Sequence, residues 1–256
     1  MSLAVRDQEL EELMDDPACD PQRLRATLQR FGVINRLFSG WGAVYRDRLA
    51  SHLAQLGRPA RVLDLGSGGG DLVLRLARLA AKDGLDVSWT GVDPDPRSHE
   101  VAVERPAPPN VRFRNADAAT LRAEGETFDA VLSNHVLHHL GEDTATFLSE
   151  SRELSHGLVL HGDIARGRSP YVLYAIAVTP LAPGTFLRTD GLRSIRRSFT
   201  RSELQRVLDR TDPGAWSVAR HAPFRLLAAA PGLGAGGGAG GGATGTDDDR
   251  TGSPRA

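Results

Sequence analysis

The stretch Arg61–Leu72, RVLDLGSGGGDL, constrains this chain more than any other. Val62, Leu63 and Leu65 form a short apolar run around a single acid, Asp64. Glycines follow at 66, 68, 69 and 70, and Asp71 then opens Leu-Val-Leu-Arg-Leu-Ala-Arg-Leu-Ala. That order predicts a buried strand, a tight turn and an amphipathic helix. Gly66, Gly68 and Gly70 let the turn close sharply and let a ligand approach bare backbone. The first turn of the helix offers N–H groups that have no partner inside the helix. In an α/β sheet, a nucleotide-like molecule is held at this junction, outside the carboxyl end of the strand.

The acids narrow the choice of ligand. A dinucleotide fingerprint would place a third glycine where this chain has Asp71. A carboxylate repels a pyrophosphate and attracts a sulfonium or an amino group, and Asp64 adds to the same preference. The run from Asp64 to Gly70 reads acid-x-Gly-x-Gly-x-Gly. It resembles motif I of the class I S-adenosylmethionine (SAM)-dependent methyltransferases. The resemblance implies that Asp64, Gly66, Ser67, Gly68 and Gly70 hold SAM.

Later strands repeat the theme of polar residues at strand ends. Val87–Asp93 predicts a second strand, and Asp93 lies about 20 residues beyond the glycine turn, where a ribose hydroxyl pair is held. Val111–Asn115 predicts a third, with Asp117 just past its end. Resemblance to the same enzymes implies that Asp117 reads the adenine amino group and that Ala118 supplies a backbone N–H. Phe128–Asn134 predicts a fourth strand whose carboxyl end, at Asn134, meets the ligand crevice.

The continuation His135-Val-Leu-His138-His139-Leu140 is similar to a segment of small-molecule methyltransferases. Histidines at these spacings could also be a cap packed on the sheet, or metal ligands. No Cys and no His-Glu-x-x-His arrangement joins them, and no metal is expected. Gly157–Ile164 predicts the fifth strand with Asp163 at its carboxyl end. If the acceptor is a phenol, with a pKa near 10, a base helps, and a carbon ortho to a phenol would use the same base, so O- and C-methylation both stay open; His135 is the first choice and Asp163 the second.

The flanks suggest additions to a minimal sheet. Leu3, Val5, Leu10, Leu13 and Met14 predict a short amphipathic helix, and a second helix starts near Pro21. Phe31–Arg46 resembles the segment preceding the core of ubiquinone- and menaquinone-biosynthesis methyltransferases, which implies acceptor contacts from Asn35, Trp41 and Tyr45. The alternative is that Trp41 and Tyr45 pack this segment on the core. Residues 169–187 are apolar and helical, and Tyr171 and Tyr174 suit a lid over an apolar acceptor; extra core is the alternative. A polar loop is expected over 188–199, and Thr200 with Glu203 predicts a capping box. The 157–199 stretch resembles small bacterial methyltransferases associated with polyketide or phenolic-lipid tailoring.

The resemblance implies an α/β fold. This is a Rossmann-like doubly wound seven-stranded sheet, parallel with an antiparallel last strand, with an N-terminal helical cap and a helical insertion after the fifth strand. The expected organisation is a cap over 1–57, a methyltransferase domain over 58–231 with a lid insertion at about 167–198, and a Gly-rich tail over 232–256 with too few apolar residues to order. A formal charge of −1 gives no sign of a nucleic-acid partner. The single Cys19 suggests a reducing compartment. No secretory signal or membrane-spanning run is visible, so a cytoplasmic enzyme with a small-molecule acceptor is the expectation. Two other classes stay open, a nicotinamide oxidoreductase and a SAM-binding protein without catalysis.

Overall fold

A computed structural model describes residues 3–235. Its centre is one sheet of seven strands, β1 (Ala60–Leu65), β2 (Val87–Asp93), β3 (Val111–Asn115), β4 (Phe128–Asn134), β5 (Ser155–Ile164), β6 (Ser217–His221) and β7 (Arg225–Pro231), in the order β3-β2-β1-β4-β5-β7-β6. The first five pair in parallel. β7 runs antiparallel to both β5 and β6, because the turn after β6 is too short for a crossover. β1 and β4 are buried on both faces and so read as apolar runs without alternation. The strand order reverses between β1 and β4. There the two crossovers leave on opposite faces and open a crevice at the strand carboxyl ends.

Helices cover both faces. The cap contains α1 (Pro21–Phe38), α2 (Trp41–Val44), a π-helical turn (Tyr45–Leu49) and α3 (Ala50–Gln55). The sheet helices are α4 (Asp71–Lys82), α5 (Pro96–Val103), α6 (Ala118–Ala123) and α7 (Thr144–Glu153). The insertion after β5 carries α8 (Arg168–Ala177) and α9 (Leu187–Arg197), and α10 (Arg201–Thr211) leads back to the hairpin. The predicted capping box opens α10: Thr200 and Glu203 each bond the other's backbone N–H. Among the described residues no helix is long and apolar enough to cross a membrane.

Three expectations are corrected. Residues 3–16 form an extended strap with one 3-10 turn at Leu13–Asp15, not a helix. Its backbone is satisfied from outside. The Asp190 carboxylate accepts the N–H groups of Leu13 and Met14 at 2.9 and 3.0 Å, Asp7 N–H donates to Arg196 O, and Arg166 Nε donates to Leu3 O. A short segment offered such partners gains little by forming its own helical turn. Second, the expected polar loop is α9. Ser194 within it and Ser198 at its C-cap bond back to the carbonyls four residues earlier, and Gly191 makes room for Tyr174, whose hydroxyl would lie 2.1 Å from an added Cβ. Third, the Gly-rich tail does not begin at 232: Gly232 N–H donates to Gly157 O and a 3-10 turn follows at Leu233–Ala235. The rest of the expected tail, 236–256, lies outside the described residues.

Candidate functional site

The crevice holds a cavity of about 730 Å³, lined by the glycine turn, the ends of β2 and β4, the strap, α1 and the insertion. Its two ends differ in construction. At the first, Gly66 and Gly68 take positive φ, 70° and 53°. An added Cβ at Gly66 would lie 2.6 Å from Val136, whereas at Gly68 nothing stands within 4 Å. Gly68 therefore presents bare backbone to the cavity in a conformation that other residues seldom adopt.

The turn is pinned by Asp93, whose Oδ2 accepts Gly68 N–H at 2.8 Å while Oδ1 accepts Asp95 N–H at 2.9 Å. Asp117 caps α6 by accepting from Thr120 N and Oγ1, and Ala118, in the first turn, lines the cavity beside it. Asp64 is buried, and its Oδ1 has no hydrogen-bond partner. Burial first, then repulsion from Asp71 and Asp93, pushes its carboxyl well above the usual range. Asn134 Oδ1 is also buried without a partner. Buried acceptors left bare are costly. A ligand carrying positive charge and N–H donors would satisfy them, and a pyrophosphate would make the repulsion worse. SAM, with a sulfonium and an amino group, fits this donor-poor, acid-rich floor.

The other end is apolar with a polar floor. Phe31 and Ile34 from α1, Tyr174 from α8 and Leu187 from α9 supply the apolar wall. The floor is a chain of acids and histidines. Asp163 is fully buried and accepts from His138 N, His138 Nδ1 (2.7 Å) and its own Ile164 N–H. Burial pushes the Asp163 carboxyl up, but these contacts outweigh it and hold it well below the usual carboxylate range. On the far side of the ring, His138 Nε2 lies 3.4 Å from Glu12 Oε1 of the strap, an ion-pair contact whose geometry is not that of a hydrogen bond. Burial opposes a charged ring there, yet Asp163 and Glu12 together raise the His138 pKa to about 9.

His135 borders the same cavity in a different state. Its φ is 63°, its N–H donates to Gly162 O, and Arg225 Nη2 donates to its Nε2. The side chain is 29% exposed and lines the cavity. Burial first and Arg225 second push its pKa well below the usual value, so the ring is neutral with its acceptor nitrogen taken.

The structure thus gathers Asp64, Gly66, Ser67, Gly68, Asp93, Asp117, Ala118, Asn134 and Asn35 around one cavity, with His135 and Tyr174 farther along it. Gly70 turns behind the loop, against Phe113. Four expected residues stand elsewhere. Trp41 lies in the core against Gly162 of β5, and Tyr45 is buried with its hydroxyl donating to Asp83. These two pack the cap on the sheet, which corrects the expectation that they touch the acceptor. Tyr171 sits at the edge of the α8–α9 cluster and Asp163 behind His138, both off the cavity wall. Tyr174 reaches the wall, but its hydroxyl is committed to Leu187 O at 2.7 Å. Sequence reasoning missed Glu12 and Asp190, which carried no motif. It treated His138 as a cap, although an adjacent His-His pair after a strand was the available signal. Glu12, His138 and His139 also lie close enough together for a shared ion.

Comparison with known proteins agrees with this geometry. Residues 62–156 match the family model described as a methyltransferase domain. A ubiquinone biosynthesis O-methyltransferase of Methylocella silvestris is 28% identical over 215 residues, covering 73% of this chain and 81% of that protein. An uncharacterized methyltransferase of Mycobacterium tuberculosis is 39% identical over 110 residues, covering 43% of this chain and 52% of its own. A second ubiquinone biosynthesis O-methyltransferase, of Cereibacter sphaeroides, is 38% identical over 96 residues, covering 37% of this chain and 36% of its own length. These last two matches therefore span about half and about a third of those relatives. Among solved structures, the plantazolicin methyltransferase BpumL with S-adenosylhomocysteine superposes with a TM-score of 0.54 at 13% identity, covering 80% of this chain and 84% of that one. The CurJ carbon methyltransferase does so at 0.55 and 16%, covering 83% and 61%. At such identities the likeness is one of fold.

Proposed function

We propose an acceptor and a base for a chain that is a class I SAM-dependent methyltransferase acting on small molecules: it methylates a hydroxyl of a small, largely apolar phenol or quinol. The observation that carries the reading is His138, held between Asp163 and Glu12 at the polar floor of an apolar cavity. When bound, SAM supplies a methyl group on an already reactive sulfonium. This chain's residues then have to orient the acceptor, exclude water and remove one proton.

Asp64, Gly66, Ser67, Gly68, Asp93, Asp117, Ala118 and Asn134 hold the cofactor, and Asn35, Phe31, Ile34 and Tyr174 border the acceptor. In its neutral form, which grows as pH rises through about 9, and with the acceptor hydroxyl in place of Glu12 beside it, His138 Nε2 takes the phenol proton as the oxygen attacks the methyl carbon. Asp163 accepts the Nδ1–H, fixes the tautomer and stabilises the imidazolium. The products are the aryl methyl ether, S-adenosylhomocysteine and one proton, later lost to water. A phenol pKa near 10 and a His138 pKa of about 9 are close enough for efficient transfer. His135, with its lone pair bonded to Arg225, orients the floor and is not the base. The name of the Methylocella relative supports an oxygen acceptor of this kind.

Incubation with methyl-labelled SAM and a panel of phenols, quinols and β-keto thioesters tests the reading. Label in aryl methyl ethers is the expected result. Label confined to carbon acceptors would overturn the O-methyl assignment, and S-adenosylhomocysteine formation with none of them would leave a SAM-binding protein.

A further inference from the structure

A second hollow, of about 490 Å³, lies behind the glycine turn, where α1 and the start of the α2 segment close over the outer face of α4. Arg36, Arg46, Arg75, Arg78 and Arg105 line it, with Asp71 as the one carboxylate. Asp71, Arg75 and Arg78 stand on one stripe of α4 by helical spacing. Arg36 comes from the last turn of α1, Arg46 from the π-helical turn and Arg105 from just past α5.

Several arginines elsewhere in this protein are paired with carboxylates, as in Arg58–Asp129, Arg114–Glu124, Arg122–Glu153 and Arg166–Glu203. Among the described residues, none of the five in the hollow makes an ion pair. Arg75 is steadied by the carbonyl of Asn35 at 3.1 Å, and Arg105 by that of Leu28 at 2.9 Å; the Arg105 Nε is buried with no partner. Five formal positive charges against one negative leave four in excess, in a chain whose total is −1. Basic composition therefore does not explain the cluster.

The guanidinium groups crowd against Gly42: an added Cβ there would stand 2.9 Å from Arg75 Nη2 and 3.7 Å from Arg46 Nη1. Burial, and then repulsion from Arg36 and Arg46, already lowers the Arg75 pKa. Concentrating like charges in a concave site is unfavourable unless an anion neutralises them. Guanidinium forks match phosphate oxygens two at a time. The hollow is concave and bounded by helices, which suits a small molecule better than a broad macromolecular surface.

We propose that this groove binds the diphosphate or phosphate-ester group of a small molecule, at a site separate from the acceptor cavity. Asp71 lines both hollows, so the anion sits one carboxylate away from the cofactor floor.

The test is calorimetric titration of the full chain at low salt with inorganic pyrophosphate, and in parallel with inorganic phosphate. Saturable one-site binding is expected, weakened about 10-fold or more in Arg36→Ala/Arg46→Ala, since each exposed arginine contributes hydrogen bonds to a charged group. An Arg78→Ala variant should weaken it independently. SAM affinity measured on the same samples shows that the variants are folded. Tighter pyrophosphate than phosphate assigns a diphosphate, and the reverse assigns a monoester. No saturation into the millimolar range, equal binding in both variants, or equal displacement by sulfate would overturn the proposal.

Discussion

The two ends of the crevice are built from different kinds of structure. The cofactor end is made by local turns: Gly66 to Asp71, Asp93 with Asp95, and Asp117 with Thr120 each set their geometry within a few residues. The acceptor end is made of contacts between segments far apart in the chain. Glu12 meets His138, Asp163 meets His138, and Asp190 holds Leu13 and Met14. Local geometry survives changes in packing, whereas an assembled site depends on every segment that reaches it. The cofactor end should therefore tolerate loss of the strap, and the acceptor end should not.

The largest expected effect separates the ends. His138→Gln should lower kcat by about 10²- to 10⁴-fold, the usual contribution of a positioned base, while SAM affinity by calorimetry holds. A kcat within a few-fold of the parent would sink the base assignment. Asp93→Ala is the converse. Loss of hydrogen bonds to a charged group should weaken SAM about 10- to 100-fold, and unchanged SAM affinity would remove Asp93 from the cofactor site.

Glu12→Gln probes whether the strap belongs to the chemistry. His138 carries a pKa raised from 6.5 to about 9, so its neutral, proton-accepting form grows as pH rises through about 9. kcat/KM should rise with pH over that range. The folded-state pKa lies above the unfolded value, so the stability from the charged ring is full below about 6.5 and is lost as pH climbs through about 9. Activity and melting temperature should thus move in opposite directions on going alkaline. Glu12→Gln should shift both curves to lower pH. Curves that coincide with the parent would show that Glu12 and His138 are not coupled.

The smallest effect is expected at Tyr174→Phe. It removes one hydroxyl bond to Leu187 O, worth about 1 kcal/mol, and leaves the ring on the acceptor wall. Melting should fall by a few degrees, and the acceptor KM should change little. A KM raised ten-fold would mean that the hydroxyl serves the acceptor as well as the helix.

The same division explains what could be read early. The residues that line the glycine-turn end of the cavity were legible because glycine spacing and strand-end acids are local patterns, and the sheet's reversal point carries them to one place. Trp41 and Tyr45 misled because an aromatic residue in a glycine-rich helical segment reads alike for an acceptor wall and for a core. The contact with Gly162 and the bond to Asp83 settle those two for packing. The strap misled because apolar spacing suggested a helix, while its backbone donors and acceptors found Asp190, Arg166 and Arg196 instead.

By itself the sequence determined the strand–turn–helix at Arg61–Lys82 and the acids around it. Each of these follows from short-range periodicity and from conformations that only glycine adopts freely. Only the tertiary structure decided that His138 and His135 are set apart in charge: Asp163 and Glu12 raise the pKa of the first to about 9, while burial and Arg225 push that of the second well below its ordinary value. That outcome depends on Arg225, Asp163 and Glu12, three residues from separate strands and a strap, arriving at two rings three positions apart. A side chain's protonation state is set by its neighbours in space and by its burial, and neither is written in the spacing of residues along the chain.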